Sequence, residues 1–384
     1  MMEIEEKYSA GIYSKRPIII VKGKGSRVWD IEGREYIDCV GGFGVAIVGH
    51  SNEKVVEAIC EQAKQIIVCP TVFYNDKRAE MLRLVAEITP KELSKTFLSN
   101  SGTEAVECAL KIARKYTGKK EFIAMKRAFH GRTMGSLSAT WKKKYKKNFE
   151  PLVPGFKHAT FNNLDSVQDL ITNNTAAIIV EPVQGEGGVY VADYDFVKGL
   201  RDIADDKDIL LIFDEIQTGF GRTGKMFALE HYNITPDILC IGKGMAGGLP
   251  IGATVAKPEI FESLDKGEHG STFGGNPVVA AAAIAAIKYI INNKLPEHAK
   301  IKGEYLLDKL RRIESNVIRE VRGIGLMIGI ELRFPVKKYI LEALKKGVLI
   351  HSSGINTLRM LPPLIITYEE IDMVIKVLEE VLKT

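Results

Sequence analysis

The chain has 384 residues, of which 46% are hydrophobic and 26% charged, a composition typical of a globular protein with two or three domains. Its 53 lysines and arginines against 48 aspartates and glutamates give a net charge of +5, too small an excess to indicate nucleic-acid binding. Five cysteines without a C-x-x-C pair argue against a disulfide framework or a metal site, and the longest apolar run, residues 278–287, is too short to cross a membrane, so the sequence predicts a cytoplasmic protein.

The predicted elements divide the chain into three segments. Residues 18–50 predict strands and turns that end in a glycine-rich loop containing Phe43. Over residues 51–290, helical patterns alternate with short apolar strands, which is typical of an α/β domain with a mostly parallel sheet. Residues 291–384 predict a small α+β domain that ends in an amphipathic helix from Tyr368 to Leu382. The N-terminal segment, residues 1–50, is assigned to the small domain.

Three apolar runs of the predicted α/β domain lead directly to charged residues, namely Glu181, Asp214 and Lys243. Such runs are typical of buried parallel strands, and open α/β sheets bind ligands at the carboxyl ends of their strands. A lysine that forms an imine and an aspartate that pairs with a ring nitrogen are what pyridoxal phosphate needs from a protein. The alternative interpretation is that these side chains reach solvent or cap helices.

The segment that begins at Asn100 predicts a phosphate site. It follows an apolar run and starts a helix that either Ser101 or Thr103 can cap, while Gly102 lets a ligand approach the backbone closely. The free N–H groups and the dipole of such a helix start attract phosphate. A plain capped helix is the alternative.

Two arginines and one aromatic residue are candidates for ring and substrate contacts. Phe129 follows a predicted strand and can stack on a flat ring, and Arg132 offers a fork of donors to a carboxylate. Arg359 is a second candidate for a carboxylate, and Glu186, in a glycine-rich turn, is a candidate counter-ion for one of these two arginines. The alternatives are a core position for Phe129, a surface ion pair for Arg132 and a solvated turn for Glu186.

Two other motifs point in different directions. Residues 219–224 match the G-x-G-x-x-G pattern of dinucleotide sites, but they follow the strand that ends at Asp214 too late, so a nicotinamide or flavin enzyme is disfavoured. The lysine-rich run over residues 142–147 is typical of a solvated loop, and docking of an acidic protein is the main alternative.

In chain order, these motifs resemble those of the class III (subgroup II) pyridoxal-phosphate aminotransferases, the family of acetylornithine and ornithine aminotransferases. The resemblance spans nearly the whole chain and implies fold type I, an α/β fold in which a large domain with a mostly parallel seven-stranded sheet carries a small α+β domain. The motifs that carry it are Asn100-Ser-Gly-Thr-Glu-Ala, Phe129-His-Gly-Arg, Glu181-Pro-Val-Gln-Gly-Glu, Asp214-Glu-Ile-Gln, Gly242-Lys-Gly, Ser271-Thr-Phe-Gly-Gly-Asn-Pro and Arg359.

The resemblance implies how the ring of pyridoxal phosphate is held. Lys243 would form the imine with the cofactor and move the substrate proton as a general base and acid. Asp214 would pair with the pyridinium nitrogen and keep it protonated. Gln217 would contact the ring hydroxyl group, and Phe129 would stack on the ring.

The resemblance also implies a homodimer with shared active sites. Gly102 and Thr103 would hold the cofactor phosphate, and Thr272 would reach that phosphate from the second subunit.

Substrate contacts are implied in the same way. Arg132 would bind the substrate carboxylate, and Ser271 would line the site. Arg359 would pair with Glu186 until a dicarboxylate, glutamate or 2-oxoglutarate, displaces that glutamate. One pocket would then serve a distal amine and a dicarboxylate in turn.

Phe43 favours one branch of the family. Acetylornithine enzymes tend to have an aliphatic residue there, whereas this segment is similar to the lysine-biosynthesis branch, whose aminoadipate substrate is linked to the acidic amino-group carrier protein LysW. The basic run suits such a partner. The hypothesis is therefore an aminotransferase for carrier-linked aminoadipate semialdehyde and lysine, with the glutamate semialdehyde and ornithine pair as a second reaction. Free acetylornithine is the runner-up substrate, and a pyridoxal-phosphate racemase or aminomutase remains an alternative class.

Overall fold

The structure is a computed structural model that describes residues 1–383. The helices are α1 (Met2–Tyr8), α2 (Gly41–Gly44), α3 (Glu53–Gln65), α4 (Asp76–Ile88), α5 (Gly102–Thr117), α6 (Met134–Ala139), α7 (Lys143–Lys146), α8 (Leu164–Gln168), α9 (Tyr194–Asp206), α10 (Pro258–Glu262), α11 (Pro277–Asn292), α12 (Leu295–Arg311), α13 (Lys337–Lys345) and α14 (Tyr368–Leu382). The strands are β1 (Ile20–Lys24), β2 (Arg27–Asp30), β3 (Glu35–Asp38), β4 (Lys95–Ser99), β5 (Glu121–Met125), β6 (Phe156–Ala159), β7 (Thr175–Val180), β8 (Val183–Gln184), β9 (Tyr190–Val191), β10 (Leu210–Asp214), β11 (Ile238–Gly242), β12 (Gly252–Ala256), β13 (Ile318–Ile324), β14 (Met327–Leu332), β15 (Val348–Leu349), β16 (His351–Ser353) and β17 (Thr357–Met360). Short 3₁₀ turns cover Ala228–His231 and Lys243–Ala246.

A seven-stranded sheet forms the centre of the molecule, with strand order β4-β12-β11-β10-β7-β5-β6. Strands β11, β10, β7, β5 and β6 run parallel, and β12 is antiparallel to both of its neighbours. This arrangement confirms the predicted mostly parallel sheet. Every residue of β7, β10, β11 and β12 is buried, which explains why these strands read as continuous apolar runs.

Helices cover both faces of this sheet because neighbouring strand residues point to opposite sides. Phe122 and Ile212 pack in one apolar cluster with α5, whereas Ile123 and Phe213 pack in the larger cluster that includes α9 and α11. The sheet is therefore the middle layer of three, and its strand ends are the open edges.

The N-terminal and C-terminal segments meet in a second sheet of order β1-β2-β3-β15. In it, β3 pairs in parallel with β15, so Asp38 lies opposite Leu349. A further sheet, β13-β14-β17-β16, carries Arg359 on β17. The domain boundaries after residues 50 and 290 stay a prediction. The pairing of β3 with β15 is the physical reason for assigning the two terminal segments to one small domain.

Local sequence signals account for the best-defined helix starts. Asn276 caps α11 by accepting a hydrogen bond from the N–H of Val279, and Pro277 occupies the first helical position. Thr367 and Glu370 form a capping box at the start of α14, which spans the predicted residues. Among residues 1–383, no single helix is both long and apolar enough to cross a membrane, and only α11 and α12, bent by 62°, reach that length and hydropathy together.

Gly303 lies inside α12, where the helix packs closely on the β13–β14 turn. A Cβ atom on Gly303 would lie 2.1 Å from the carbonyl oxygen of Gly325, whereas one on Gly199, inside α9, would lie 2.3 Å from the movable Cδ1 of Leu164. At a helix position with open space, replacing glycine by alanine would stabilise the protein by about 1 kcal/mol. We expect Gly303→Ala instead to destabilise the protein by about 1–3 kcal/mol, because the backbone of the β13–β14 turn must shift.

Calorimetric unfolding of both alanine variants measures this difference. Gly199→Ala is the matched control and should lose less stability, since a leucine side chain can rotate away. A Gly303→Ala protein as stable as the wild type would contradict the packing described for α12.

Candidate active site

The parallel register of three strands brings the predicted charged residues to one edge of the sheet. Phe213 lies opposite Val180, so Asp214 and Glu181 follow paired positions, and Asp214 lies opposite Cys240, three residues before Lys243. Asp214 is buried, and its Oδ1 accepts a hydrogen bond from the N–H of Ile216 at 3.1 Å. The structure therefore groups these side chains as the sequence predicts.

Lys243 has three features of a functional lysine. Its φ of +45° is unusual for a residue with a side chain and is imposed by the turn that follows β11. Within residues 1–383, no hydrogen bond or ion pair holds its ammonium group. Burial lowers the pKa of Lys243, and the nearby carboxylates of Glu186 and Asp214 oppose that change. A lysine with a lowered pKa is a better nucleophile toward an aldehyde.

His130 is a buried partner of Asp214 that the sequence analysis did not single out. Its Nδ1 lies 2.7 Å from Asp214 Oδ2. Burial alone would lower the pKa of His130, but the hydrogen bond and charge of Asp214 raise it more, so the net shift is upward. The only available signal was its place in the Phe129-His-Gly-Arg motif, between a predicted ring contact and a predicted carboxylate contact.

Glu181 supports the same cluster from β7. Its Oε2 accepts a hydrogen bond of 2.9 Å from the N–H of Phe129 and so fixes the backbone of the predicted stacking residue. Burial raises the pKa of Glu181 to about 7, and the charge of Asp214 adds to that shift while His130 opposes it. Glu181 therefore avoids a second full negative charge beside Asp214.

The start of α5 has backbone N–H groups that are available to an anion. Ser101, rather than Thr103, is the cap, and its hydroxyl oxygen accepts from the N–H of Glu104. The Thr103 hydroxyl contacts Thr133 Oγ1 at 2.8 Å and Ser136 Oγ at 2.6 Å. Within the described residues, no protein acceptor takes the N–H groups of Gly102 and Thr103. Two free donors at a helix start fit a phosphate.

Arg132 and Phe129 lie against each other beside a third aromatic ring. The Arg132 guanidinium is 5.6 Å from the Phe129 ring centre and 5.3 Å from that of Tyr145. Arg132 is exposed, so its donors are open to a carboxylate. Tyr145 belongs to the lysine-rich run and was not identified from the sequence, because only the charges of that run were considered.

Glu186 and Arg359 form an ion pair across the site. Glu186 Oε1 lies 2.6 Å from Arg359 Nη2, and Arg359 Nη1 donates to Gln217 Oε1 at 3.3 Å. The Arg359 side chain is fully buried, whereas that of Glu186 is 25% exposed. Burial raises the pKa of Glu186, but the charge and hydrogen bond of Arg359 lower it more. The predicted counter-ion is thus bound to its predicted arginine, close to Gln217.

Phe43 lies beside β16, the strand that pairs with the one carrying Arg359. It has a φ of +61°, as do Gly41 and Gly42 within a few degrees, so the loop is wound in the left-handed region. Its ring makes an edge contact with His351, with 4.9 Å between ring centres. His351 lies opposite Arg359 in the β16–β17 pair. Phe43 is 52% exposed and is therefore open to a substrate.

Ser271 and Thr272 differ in their surroundings. Ser271 Oγ accepts a hydrogen bond of 3.1 Å from Asn100 Nδ2, which ties it to the loop before α5. Thr272 is exposed, and so is the neighbouring Phe273, at 61%. Ser271 therefore belongs to the phosphate end of the site, and Thr272 faces outward.

The G-x-G-x-x-G segment is filled by protein. Arg222, inside it, is fully buried and donates to the carbonyl oxygens of Leu326 and Pro362 at 2.9 and 2.6 Å. A Cβ atom on Gly325 would lie 2.5 Å from the carbonyl carbon of Thr223. Arg222 and Thr223 thus pack on the β13–β14 turn, so this segment does not form a dinucleotide loop.

The lysine-rich run is not the wholly solvated loop that its composition favours. Lys142 Nζ donates to the carbonyl oxygen of Glu186 at 3.1 Å. Lys146 Nζ donates to the carbonyl oxygens of Ser138 and Thr140, at 3.0 Å each. Only the remaining lysines of the run are exposed, and these are Lys143, Lys144 and Lys147.

Comparison with known proteins gives one consistent result. The family model for class-III aminotransferases matches residues 8–382. The chain is 46% identical to an acetylornithine aminotransferase of Methanopyrus kandleri, with 99% of this chain and 98% of that protein covered. It is 48% identical to a LysW-aminoadipate semialdehyde/glutamate semialdehyde transaminase of Sulfolobus acidocaldarius, with 96% of each covered.

The fold is similar to that of an ornithine aminotransferase from Toxoplasma gondii, crystallised in the presence of oxidised glutathione. The TM-score is 0.96 at 34% sequence identity, over 99% of this chain and 93% of that one. The Toxoplasma structure has pyridoxal phosphate at its active site in partial occupancy.

Lys243 is the first residue to test. Lys243→Ala removes the amine that would bind the cofactor aldehyde, so we expect the visible absorbance band of the lysine-bound cofactor to disappear. Turnover should fall by at least about 10²–10⁴-fold, the contribution of a positioned general base. Lys225→Ala, the same change at an exposed lysine, should retain the band and the rate. A visible band that persists in Lys243→Ala would remove Lys243 from its assigned role.

Proposed function

The chain belongs to the class-III aminotransferases and uses pyridoxal phosphate, and from this premise we propose its substrates and the roles of its residues. It moves the distal amino group between glutamate or 2-oxoglutarate and carrier-linked aminoadipate semialdehyde or lysine. The glutamate semialdehyde and ornithine pair is a second reaction of the same site. The observation that carries this proposal is the Glu186–Arg359 pair beside Lys243.

The residues at the sheet edge fit the cofactor. When bound, pyridoxal phosphate withdraws electrons from the substrate carbon that carries the amine. Lys243 has a free ammonium group to bind the aldehyde, and later to move a proton at that carbon. The Asp214 carboxylate, held in place by His130, would pair with the ring nitrogen and keep it protonated. The free N–H groups of Gly102 and Thr103 hold the phosphate.

The ring contacts are proposed from the same geometry. Phe129, whose backbone is bonded to Glu181, would stack on the ring, and Gln217 would contact the ring hydroxyl group. Both residues lie at the site described above, next to Arg132 and Arg359 respectively.

Two arginines account for the two kinds of substrate. Arg132, exposed beside Phe129 and Tyr145, binds one carboxylate of a dicarboxylate. Arg359 binds its second carboxylate when Glu186 moves away. With Glu186 in place, the charge of Arg359 is compensated, and the pocket beside Phe43 accepts the uncharged chain of a distal amine. Ser271 lines the phosphate end of the same site.

The carrier-linked substrate is supported by charge and by similarity. The exposed Lys143, Lys144 and Lys147 form a basic surface next to Lys142, which reaches the site. Such a surface suits an acidic carrier protein, because complementary charge speeds and orients association. The Sulfolobus relative is named for a LysW-linked substrate, and the Methanopyrus relative, named for acetylornithine, supports the runner-up.

We propose a homodimer on the exposed apolar loop before α4. Val72 and Phe73 are 82% and 65% exposed, and Phe273, beside Thr272, is 61% exposed. The loop is nevertheless ordered, because the guanidinium of Arg78 donates to the carbonyl oxygens of Cys69 and Phe73. An ordered, exposed apolar surface favours a protein contact, and a second copy there would bring Thr272 to the partner's phosphate.

Turnover of the two amine substrates tests the proposed specificity. We expect kcat/KM for carrier-linked lysine to exceed that for free acetylornithine by at least about tenfold, equal to about 1.4 kcal/mol. Net transfer of the amino group to 2-oxoglutarate also excludes a racemase or an aminomutase. A strong preference for free acetylornithine would instead establish the runner-up substrate.

The basic surface can be tested separately. Replacing Lys143, Lys144 and Lys147 together by Gln should raise KM for the carrier-linked amine and weaken its dependence on salt, since exposed charges are screened over about 10 Å at 0.1 M salt. KM for glutamate, which needs no carrier, should stay unchanged in the same variant. An unchanged KM for the carrier-linked amine would rule out this docking surface.

A further inference from the structure

Lys142 begins the basic run, yet its ammonium group lies at the turn that carries Glu186. Its Nζ donates a 3.1 Å hydrogen bond to the main-chain carbonyl oxygen of Glu186. Burial lowers the pKa of Lys142, the Glu186 carboxylate opposes that change, and Arg359 adds to it. The three charged groups are therefore close enough to influence one another.

The two members of the Glu186–Arg359 pair differ in their freedom to move. Arg359 is buried on β17 and is also held by Gln217. Glu186 is partly exposed and has glycines at 185, 187 and 188. A dicarboxylate that binds Arg359 must therefore displace the Glu186 carboxylate. A partly buried carboxylate without a partner is unfavourable, so Glu186 needs a second cation.

Lys142 is the cation best placed for that purpose, because it already contacts the Glu186 main chain. Besides Arg359, the charges of Lys243, His351 and Lys142 act on the Glu186 carboxylate. Lys243 is committed to the cofactor. Burial, together with the charges of Arg359 and Arg16, lowers the pKa of His351 to about 4, so this side chain is neutral at neutral pH.

We propose that Lys142 receives the Glu186 carboxylate when a dicarboxylate substrate takes Arg359. Because Lys142 Nζ already contacts the carbonyl oxygen of Glu186, rotation of the glutamate side chain alone brings the two charges together. The inference rests on the proposed function, since it requires Arg359 to be the dicarboxylate site. Lys142 acts through Glu186 and is a positioning residue that favours the glutamate half-reaction.

Two substitutions separate the charge of Lys142 from its hydrogen bond. Lys142→Gln keeps a donor for the Glu186 carbonyl oxygen, and Lys142→Met removes the donor as well. In the cofactor-loaded enzyme, we expect both to raise KM for glutamate and 2-oxoglutarate about tenfold, equal to about 1.4 kcal/mol. KM for carrier-linked lysine and for acetylornithine should stay within about twofold, because Arg359 keeps its counter-ion in that half-reaction.

A matched control is available at the other end of the strands. Lys119 Nζ donates to the carbonyl oxygen of Asp208 at 2.7 Å, just before β10, and Lys119→Gln should change neither KM. If Lys142 only anchored the turn, Lys142→Gln would behave as wild type and Lys142→Met would raise KM for all substrates. That result would overturn the proposal.

Two further variants tie the effect to Glu186 and to Arg359. In a Glu186→Gln background, Lys142→Gln should have no additional effect, because no carboxylate remains to be received. If Arg359→Ala raises KM for 2-oxoglutarate strongly and Lys142→Gln does not, the Lys142 inference alone is wrong. If Arg359→Ala leaves that KM unchanged, the proposed dicarboxylate site fails, and the inference fails with it.

Discussion

The parallel pairing of β7, β10 and β11 is the constraint on which the active site depends. Each strand is wholly buried, so charged residues can follow only where the strand ends. Because the three strands run in the same direction, these ends lie at one edge of the sheet. Glu181, Asp214 and Lys243 are therefore neighbours through backbone hydrogen bonds, not through contacts between their own side chains. A shift of β11 relative to β10 would separate the lysine from the aspartate while leaving the core apolar.

Charge balance is the second constraint, and it explains the residues around Asp214. Two acids and a lysine in a buried cluster would be unfavourable without compensation. His130 is bonded to Asp214, while burial raises the pKa of Glu181 to about 7. The burial that shifts these pKa values also lowers the pKa of Lys243. The same buried environment therefore suits Asp214 to pair with a protonated ring nitrogen and Lys243 to react as an amine.

Local signals made much of the fold and half of the site predictable from the sequence. Asn276 and Pro277 set the start of α11, and the apolar runs before Asp214 and Lys243 became adjacent strands, because caps and strand ends depend on neighbouring residues. Contacts between distant segments were not predictable. His130 meets Asp214 across 84 positions, and nothing near either residue specifies the other. Where the chain had two local options, as at Ser101 and Thr103, only the observed backbone identifies the cap.

The lysine-rich run shows why composition misleads at such a site. Its charge pattern is that of a solvated loop, but Lys142 and Lys146 lie against carbonyl oxygens, which a charge count does not reveal. A carbonyl oxygen holds an ammonium group without neutralising it, so the cation at Lys142 remains available to a carboxylate. A site that alternates between a neutral chain and a dicarboxylate needs one fixed cation, one mobile acid and a second place for that acid. The rigid strand under Arg359 and the glycine-rich turn around Glu186 provide the first two, and Lys142 is positioned to provide the third.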